Sequence, residues 1–499
     1  MSRTTKDPMT VGPILSGKEL KDGGAGFVDV VNPATGETVA REACCDEATL
    51  SRIVQSSDDA FRSAEWQGRT PADRSRLLLE LADRIEARAE RLIDLELLDV
   101  GKPISQLRGS ELPLAARIVR FYAGAASQIE GAVKSTAAGC VSLTTWEPWG
   151  VVGGILPWNY PLVNAAMKAA PAIAAGNAIV LKPSVETPLA TVAFAKLCLE
   201  AGFPPGIVNV ATGPGSGAGH RLVTHPLVRK ISFTGSTPVG QQIQRLAAGS
   251  LKPVNLECGG KNAMIVFADA DLERAAQAAL LSAFVNAGQL CVSCSRLLLQ
   301  QSVAARFTRL LQKKARRITV GDPRDPRTLM GPMITRAQFE LALSAIARAR
   351  SEGCRVLCGG GWLRLPGPLA GGFWIEPTIL GGVRPGMRTH DEEIFGPVLA
   401  LLPFRDEAEA VSIGNGVDYG LSGSVWTSDG ERALRMVKAL DTGILWVNTM
   451  LTGYPEIPVP PHKLSGTGVE LGVEGLLAYC KRKSAVIGYN PRTPVGWGL

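Results

Sequence analysis

Between residues 75 and 98 the apolar positions Leu78, Leu81, Ile85, Leu92 and Leu95 recur at intervals of three, four or seven, with charged side chains between them. This spacing puts the apolar set on one stripe of a helix, and Gly101-Lys-Pro103 stops it. Roughly the first 70 residues read instead as short strands and turns, with Asn32-Pro-Ala-Thr-Gly36 a turn between two extended pieces. From 150 to 235 the pattern alternates. A buried apolar strand over 151–156 precedes a helix over 161–174, a strand over 178–181, a helix over 187–201, and strands over 207–210 and 230–233. Strand–helix alternation with short loops predicts an α/β fold with a parallel, doubly wound sheet, the usual site for a dinucleotide. A second α/β set runs from 263 to 440, including a strand over 296–299, a helix over 304–317 and a strand over 421–427. The boundary between the two sets falls near Glu257. Residues 1–16 carry Arg3, Lys6 and Asp7 without an apolar core, so they read as a flexible arm rather than a secretory signal. The Pro- and Gly-rich tail 490–499 reads as irregular.

At 499 residues the chain exceeds one compact core and should divide into two or three domains. The net charge of +7 is small for this length, and runs such as Arg84-Ile-Glu-Ala-Arg-Ala-Glu-Arg91 intersperse the signs. They read as solvated helix faces, not as a nucleic-acid footprint. No apolar run reaches the ~18–20 residues of a membrane span, so no membrane association is expected. Ten cysteines without a repeated spacing imply reduced thiols in the cytoplasm. His220 and His225 have ligand-like spacing, but no cysteine pair shortly precedes them, so no metal is expected.

Three segments carry candidate chemistry. Cys291 ends the run Phe284-Val-Asn-Ala-Gly-Gln-Leu-Cys291. A lone cysteine is most often inert and buried, yet Asn286 to Gln289 forms a small, polar approach that reads as flexible. Cys291-x-x-Cys294 could also be a redox pair or half a zinc site, with Cys354 and Cys358 the only other close pair able to complete one. Glu257, in Asn255-Leu-Glu-Cys-Gly-Gly-Lys261, is either a surface turn or a carboxyl desolvated by Val254, Leu256, Ala263, Ile265 and Val266, its pKa raised toward that of a useful base. Asn159, in Pro157-Trp-Asn-Tyr-Pro161, is either a turn asparagine or a rigidly framed N–H donor. A thiol, a carboxyl and an amide are parts for acyl chemistry through a thioester. Gly213-Pro-Gly215-Ser-Gly-Ala218 fits a dinucleotide fingerprint only loosely.

Together these segments resemble the signatures of the aldehyde dehydrogenase superfamily, with a looser similarity to bacterial betaine-aldehyde-dehydrogenase-like members. The resemblance runs from Asn32 to about residue 486, and Arg296 completes the cysteine signature. It implies Cys291 as nucleophile, Glu257 as the base that activates water, and Asn159 with the Cys291 backbone N–H as oxyanion donors. It implies a bound NAD approached by Gly235 and Ser236 in Phe233-Thr-Gly-Ser236, rather than by Gly213 and Gly215. Lys182 would hold the adenosine ribose, Glu393 and Phe395 the nicotinamide side, and Trp158 and Ser184 complete the cofactor-binding set. Val185 stands where many NAD-preferring relatives carry a ribose-binding glutamate, and Glu186, one residue later, is expected to point elsewhere. NADP is therefore possible beside NAD.

By the same resemblance the aldehyde channel is lined by Tyr160, Asn164, Met167 and Val285. Leu290, Val292, Gly453 and Val459 complete it. Only Tyr160 survives of the aromatic cage that relatives build around a trimethylammonium group, which argues against betaine aldehyde, so a medium-sized aliphatic or aromatic aldehyde is expected. Pro460 and Pro461 replace a glycine pair usual in relatives, and Val469 replaces a cation that supports the subunit interface. The implied organisation is a dinucleotide-binding domain over 1–127 and 148–256, a catalytic domain over 257–463, and an oligomerisation β-segment over 128–147 and 480–490, then a tail over 491–499. That segment implies a homodimer or homotetramer. A CoA-acylating dehydrogenase and a non-catalytic scaffold of the same fold are the alternatives.

Overall fold

In the computed structural model, which describes residues 8–137 and 139–489, the apolar run after Gly150 becomes the strand Val151–Ile155, buried at all five positions. It lies inside an eight-stranded sheet ordered Gly466–Thr467, Val254–Glu257, Val228–Thr234, Val151–Ile155, Ala178–Lys182, Val208–Val210, Ile14–Leu15 and Lys18–Glu19. The five from Val254–Glu257 to Val208–Val210 are parallel. The chain adds Ala178–Lys182 and Val208–Val210 on one side of Val151–Ile155, then returns to add Val228–Thr234 and Val254–Glu257 on the other. That reversal makes a topological switch point between Val151–Ile155 and Val228–Thr234, where a crevice opens at the carboxyl ends of the strands. This is the doubly wound α/β sheet predicted from the sequence.

A second sheet of seven strands is ordered Arg355–Cys358, Thr378–Gly381, Val398–Phe404, Cys294–Gln300, Asn262–Val266, Ser422–Trp426 and Ile444–Val447. All its pairs are parallel except the first. Residues 258–261 cross from one sheet to the other, and each sheet has its own apolar core. After Lys463 the chain returns: Gly466–Thr467 pairs with Val254–Glu257, and the helix Gly472–Leu477 packs on Pro161–Ala174. A small antiparallel sheet joins Ala132–Ala137, Cys140–Pro148 and Cys480–Gly488, leaving Val133, Val486 and Ile487 exposed. No helix among the described residues is long and apolar enough to cross a membrane.

Several expectations need correction. Residues 9–19 are ordered, although 1–16 read as an arm; residues 1–7 lie outside the described residues, as does the tail from 490. Met9–Val11 joins Thr38–Cys45, and Ile14–Leu15 forms a hairpin with Lys18–Glu19. Ser16 and Gly17 (φ 49° and 77°) make the left-handed pair that a two-residue hairpin turn requires. Glu47–Arg62 is a helix inside the stretch read as strands and turns. Asp46 caps it through the Thr49 N–H, and Leu50, Ile53, Val54 and Ser57 form its buried stripe. The single helix over 75–98 is two, Pro71–Ala87 and Ala89–Asp99, broken at Arg88 (φ −104°, ψ 17°) without a glycine or proline to mark the break.

Candidate active site

The helix Leu272–Phe284 ends in three consecutive left-handed residues, Asn286, Ala287 and Gly288 (φ 50°, 54° and 71°). A Cβ at Gly288 would stand 2.3 Å from the Gly396 carbonyl oxygen, so the position admits only glycine. The approach to Cys291 is therefore not flexible. Its small polar side chains turn inward to satisfy the turn's own backbone. Asn286 Nδ2 donates to the Gln289 carbonyl (3.2 Å), Gln289 Nε2 to the Asn286 carbonyl (3.0 Å), and the Ile334 N–H to Gln289 Oε1 (2.9 Å). Cys291 emerges half-buried. Its carbonyl oxygen accepts from Asn262 Nδ2 at 2.7 Å, and a Cβ at Gly260 would lie 2.6 Å from that oxygen. A bare Gly260 thus lets the crossover after Glu257 lie directly on the Cys291 peptide. Burial, then Glu257 and Glu393, push the Cys291 thiol up to about 12, while the Val292 and Cys291 N–H groups pull it down. Cys294 is fully buried and donates to the Arg296 carbonyl, as a packed part of its strand.

Glu257 ends its strand almost fully buried, and Oε1 has no hydrogen-bond partner. Desolvation raises its pKa well above the usual carboxyl range, Glu470 raises it further, and Lys168 lowers it. Lys168 Nζ is committed to Glu470 Oε1 (2.6 Å), Thr234 Oγ1 (2.8 Å) and Ser232 Oγ (3.1 Å). Sequence reading passed over Lys168. A lone lysine in the apolar helix Pro161–Ala174 was the available signal, since a lysine is seldom fully buried without a partner.

Asn159 is 6% exposed, and its Nδ2 donates to the Gln289 carbonyl at 3.0 Å. A carboxamide nitrogen carries two N–H bonds, so one is anchored and the other remains available. Beside it, the Trp158 ring meets Phe395 edge-on at 5.3 Å, with Phe395 at φ 52°. Lys102 Nζ lies 3.6 Å from the centroid of the Tyr160 ring and pairs with Glu111, both side chains buried. Lys102 had read only as part of a helix stop.

The carboxyl end of Val228–Thr234 leads into the helix Thr237–Ala248, where the N-cap Ser236 accepts no capping hydrogen bond. Pro238 sits in the first turn, and the other first-turn N–H groups have no side-chain cap, as at an anion-binding helix start. A Cβ at Gly235 would come within 2.5 Å of the Phe233 ring. Glu393 Oε1 accepts from the Gly260 N–H at 3.0 Å, and a Cβ at Gly259 would stand 2.1 Å from Glu393 Oε2. Burial pushes the Glu393 carboxyl up to about 7. One crossover therefore gathers Glu257, Cys291 and Glu393.

Lys182 ends the strand Ala178–Lys182, with Glu42 and Glu186 as its leading electrostatic neighbours. Residues 183–188 form a turn, where strand alternation does not apply, and Ser184 Oγ donates to the Glu186 carboxylate. The Gly213 loop packs instead on the strand Thr38–Cys45: a Cβ at Gly213 would lie 3.3 Å from the Cys44 Cβ.

Of the channel residues, Tyr160 starts the helix face that also carries Asn164 and Met167, and Asn164 Nδ2 donates to the Tyr160 carbonyl at 2.9 Å. Val285, Leu290 and Val292 lie half-buried around the Cys291 turn. Val459 is bridged to Glu470 by its N–H (2.8 Å), whereas Gly453 sits in an exposed loop.

The profile of the aldehyde dehydrogenase family matches residues 21–485. Among solved structures, the chain is similar to a putative aldehyde dehydrogenase from Burkholderia cenocepacia at 39% identity and a TM-score of 0.96, over 98% of this chain and 100% of that one. It is similar to an NAD-dependent aldehyde dehydrogenase from Sinorhizobium meliloti at 37% identity and a TM-score of 0.95, over 99% and 97% of the two chains. It is also similar to a point mutant of betaine aldehyde dehydrogenase from Staphylococcus aureus in complex with NAD+, at 34% identity and a TM-score of 0.94, over 97% and 98%.

Proposed function

This chain belongs to the aldehyde dehydrogenase family and is an NAD(P)-dependent aldehyde dehydrogenase, and from that premise we propose that it forms the carboxylic acid through a thioester on Cys291. The observation that carries this reading is the crossover after Glu257, where Gly260 lies against the Cys291 peptide and the Glu257 carboxyl acts electrostatically on the thiol. Cys291 Sγ loses its proton to solvent and bonds to the aldehyde carbon. The free N–H of Asn159 and the Cys291 N–H receive the resulting oxyanion. Bound NAD(P) supplies the oxidised nicotinamide ring that takes up the hydride. Glu257 then takes a proton from water, the hydroxide adds to the thioester carbonyl, and the C–S bond breaks to release the acid.

The residues present fit such a dinucleotide. The uncapped start of Thr237–Ala248 suits the pyrophosphate, with Gly235 and Ser236 at its approach. Lys182 and Ser184 serve the adenosine ribose, and Glu393, Phe395 and Trp158 the nicotinamide end. For the substrate, Tyr160 already bears the Lys102 ammonium on one face, which disfavours a second cation and supports an uncharged aldehyde. The exposed residues of the small antiparallel sheet support a homodimer or homotetramer formed by strand addition, and ten free thiols support a reducing cytoplasmic setting.

Mass spectrometry of Glu257→Gln after incubation with an aldehyde and NAD tests the chemistry. An acyl adduct is expected on Cys291 and on no other cysteine; an adduct elsewhere, or full turnover by Cys291→Ala, removes Cys291 from the role. Acid release without CoA separates this hydrolytic reading from the acylating one.

A further inference from the structure

Asn262 opens the strand Asn262–Val266, directly after the crossover, and is 3% exposed. Its carboxamide is committed at three points. Oδ1 accepts from the Ser422 N–H at 3.0 Å, which fixes the amide's orientation and leaves Nδ2 as the donor. Both N–H bonds of Nδ2 go to one place, the Cys291 carbonyl at 2.7 Å and the Ser293 carbonyl at 2.9 Å. Ser422 Oγ donates to the carbonyl between them, that of Val292, at 3.4 Å. Three consecutive carbonyls, starting at Cys291, therefore end on two side chains. A Cβ at Gly260 would lie 2.8 Å from Asn262 Oδ1 and 3.0 Å from Nδ2, so the bare glycine also makes the room in which this amide sits.

The chain turns at Cys291 and Val292, and the Ser293 N–H closes the turn by donating to the Leu290 carbonyl at 3.0 Å. That bond joins the ends of a β-turn but does not fix the tilt of its central peptide, here Cys291–Val292. A peptide is planar and trans, so its carbonyl and its N–H point in opposite directions. Holding the Cys291 carbonyl on Asn262 therefore also sets the direction of the Val292 N–H. That N–H and the Cys291 N–H are the two groups that favour the charged form of the sulfur. An asparagine that only stitched strands together would bond strand residues, whereas both of these N–H bonds go to the turn that precedes Cys294–Gln300.

We propose that Asn262 is a positioning residue for acylation, which sets the tilt of the Cys291–Val292 peptide and with it the aim of the sulfur at the aldehyde carbon. This rests on Cys291 being the nucleophile. Asn262 acts through the turn and not on the aldehyde. Without it the sulfur loses a fixed N–H partner and a fixed direction of attack. A displacement of about 1 Å at a reacting atom costs on the order of 100-fold in rate.

Asn262→Leu in the full-length protein keeps most of the volume and removes all three bonds. First-turnover NADH formation with benzaldehyde and NAD is expected to slow by roughly 10- to 100-fold, with both KM values within about threefold of the wild type. Iodoacetamide labelling of Cys291, followed by peptide mapping without aldehyde or cofactor, is expected to slow about threefold at each pH. There, roughly tenfold less thiolate is offset in part by the greater nucleophilicity of a more basic sulfur. A turn merely loosened by the substitution would expose the sulfur, so labelling that is unchanged or faster overturns the proposal. A first turnover within about twofold of the wild type, or a loss confined to KM, overturns it as well. If Asn262→Leu does not fold, Asn262→Ser, polar but too short to reach both carbonyls, is held to the same outcomes. An unchanged Asn262→Leu beside an inactive Cys291→Ala sinks this inference alone, whereas full turnover by Cys291→Ala sinks the nucleophile reading too.

Discussion

Asn159 Nδ2 donates to the carbonyl oxygen of Gln289 at 3.0 Å, so the turn that delivers Cys291 also aims the amide. Gln289 is itself fully buried and fixed through the Ile334 N–H and the Asn286 carbonyl. Gln289→Leu keeps most of the volume and removes both anchors. The expected result is a kcat lowered by roughly 10- to 100-fold with KM changed little, since aim matters most where the oxyanion develops. Asn159→Ala, which removes the donor itself, should cost about 100- to 1000-fold in kcat. Steady-state kinetics on one aldehyde check both, and a Gln289→Leu effect confined to KM would contradict the positioning role.

The thiol of Cys291 is pushed up to about 12 by burial and by two neighbouring carboxyl groups. In the ligand-free enzyme it is therefore protonated at neutral pH. Only the thiolate alkylates rapidly, so the rate of iodoacetamide labelling should rise about tenfold per pH unit. No plateau is expected by pH 10. Peptide mapping of the Cys291 adduct follows this rate directly, and a plateau below pH 9 would show a thiol activated before ligands bind.

Much of the fold was legible because it is written in buried apolar runs. The strands Val151–Ile155 and Ala178–Lys182 are covered on both faces and read as unbroken hydrophobic segments. The helix Glu47–Arg62 was legible but unread: its stripe of Leu50, Ile53, Val54 and Ser57 includes a serine, which breaks an apolar count while still being buried. The motif residues around Cys291 and Glu257 could be named from the sequence, but not the reason they meet. That reason is two close approaches, Gly260 on the Cys291 carbonyl and Gly259 on Glu393, which exist only after two sheets pack. Lys168, Glu470 and Glu42 were harder, because a buried charge announces itself only when its surroundings are known.

The pKa of Glu257 is raised by desolvation and by Glu470, and lowered by Lys168. In the proposed cycle deacylation needs the Glu257 carboxylate, so its rate should climb with pH on a limb well above the ordinary carboxyl range. Glu470→Gln removes a repelling charge and frees Lys168 from its 2.6 Å ion pair. Both changes favour the ionised Glu257, so the limb should move to lower pH. Single-turnover hydrolysis of a preformed acyl-enzyme at several pH values reads this shift, and a limb displaced to higher pH would reverse the assigned sign.

The resemblance drew attention to the Pro460-Pro461 pair, and the structure supplies its counterpart in Gly443. A Cβ at Gly443 would stand 1.5 Å from the Pro460 carbonyl oxygen, closer than any contact side chains tolerate. Neither proline can yield by rotating φ, because the ring fixes it. The displacement must instead pass along the chain to Val459, whose N–H is bonded to the Glu470 carbonyl. Gly443→Ala is therefore expected to cost about 1–3 kcal/mol or more, by forced overpacking. It should also raise KM for the aldehyde through movement of Val459. Gly453→Ala is the matched comparison, because nothing lies within 4 Å of a Cβ placed there, and it should leave the thermal midpoint unchanged. Thermal unfolding and aldehyde KM of the two variants side by side test this, and equal midpoints would mean that the backbone at Pro460 gives way more easily than two adjacent proline rings allow.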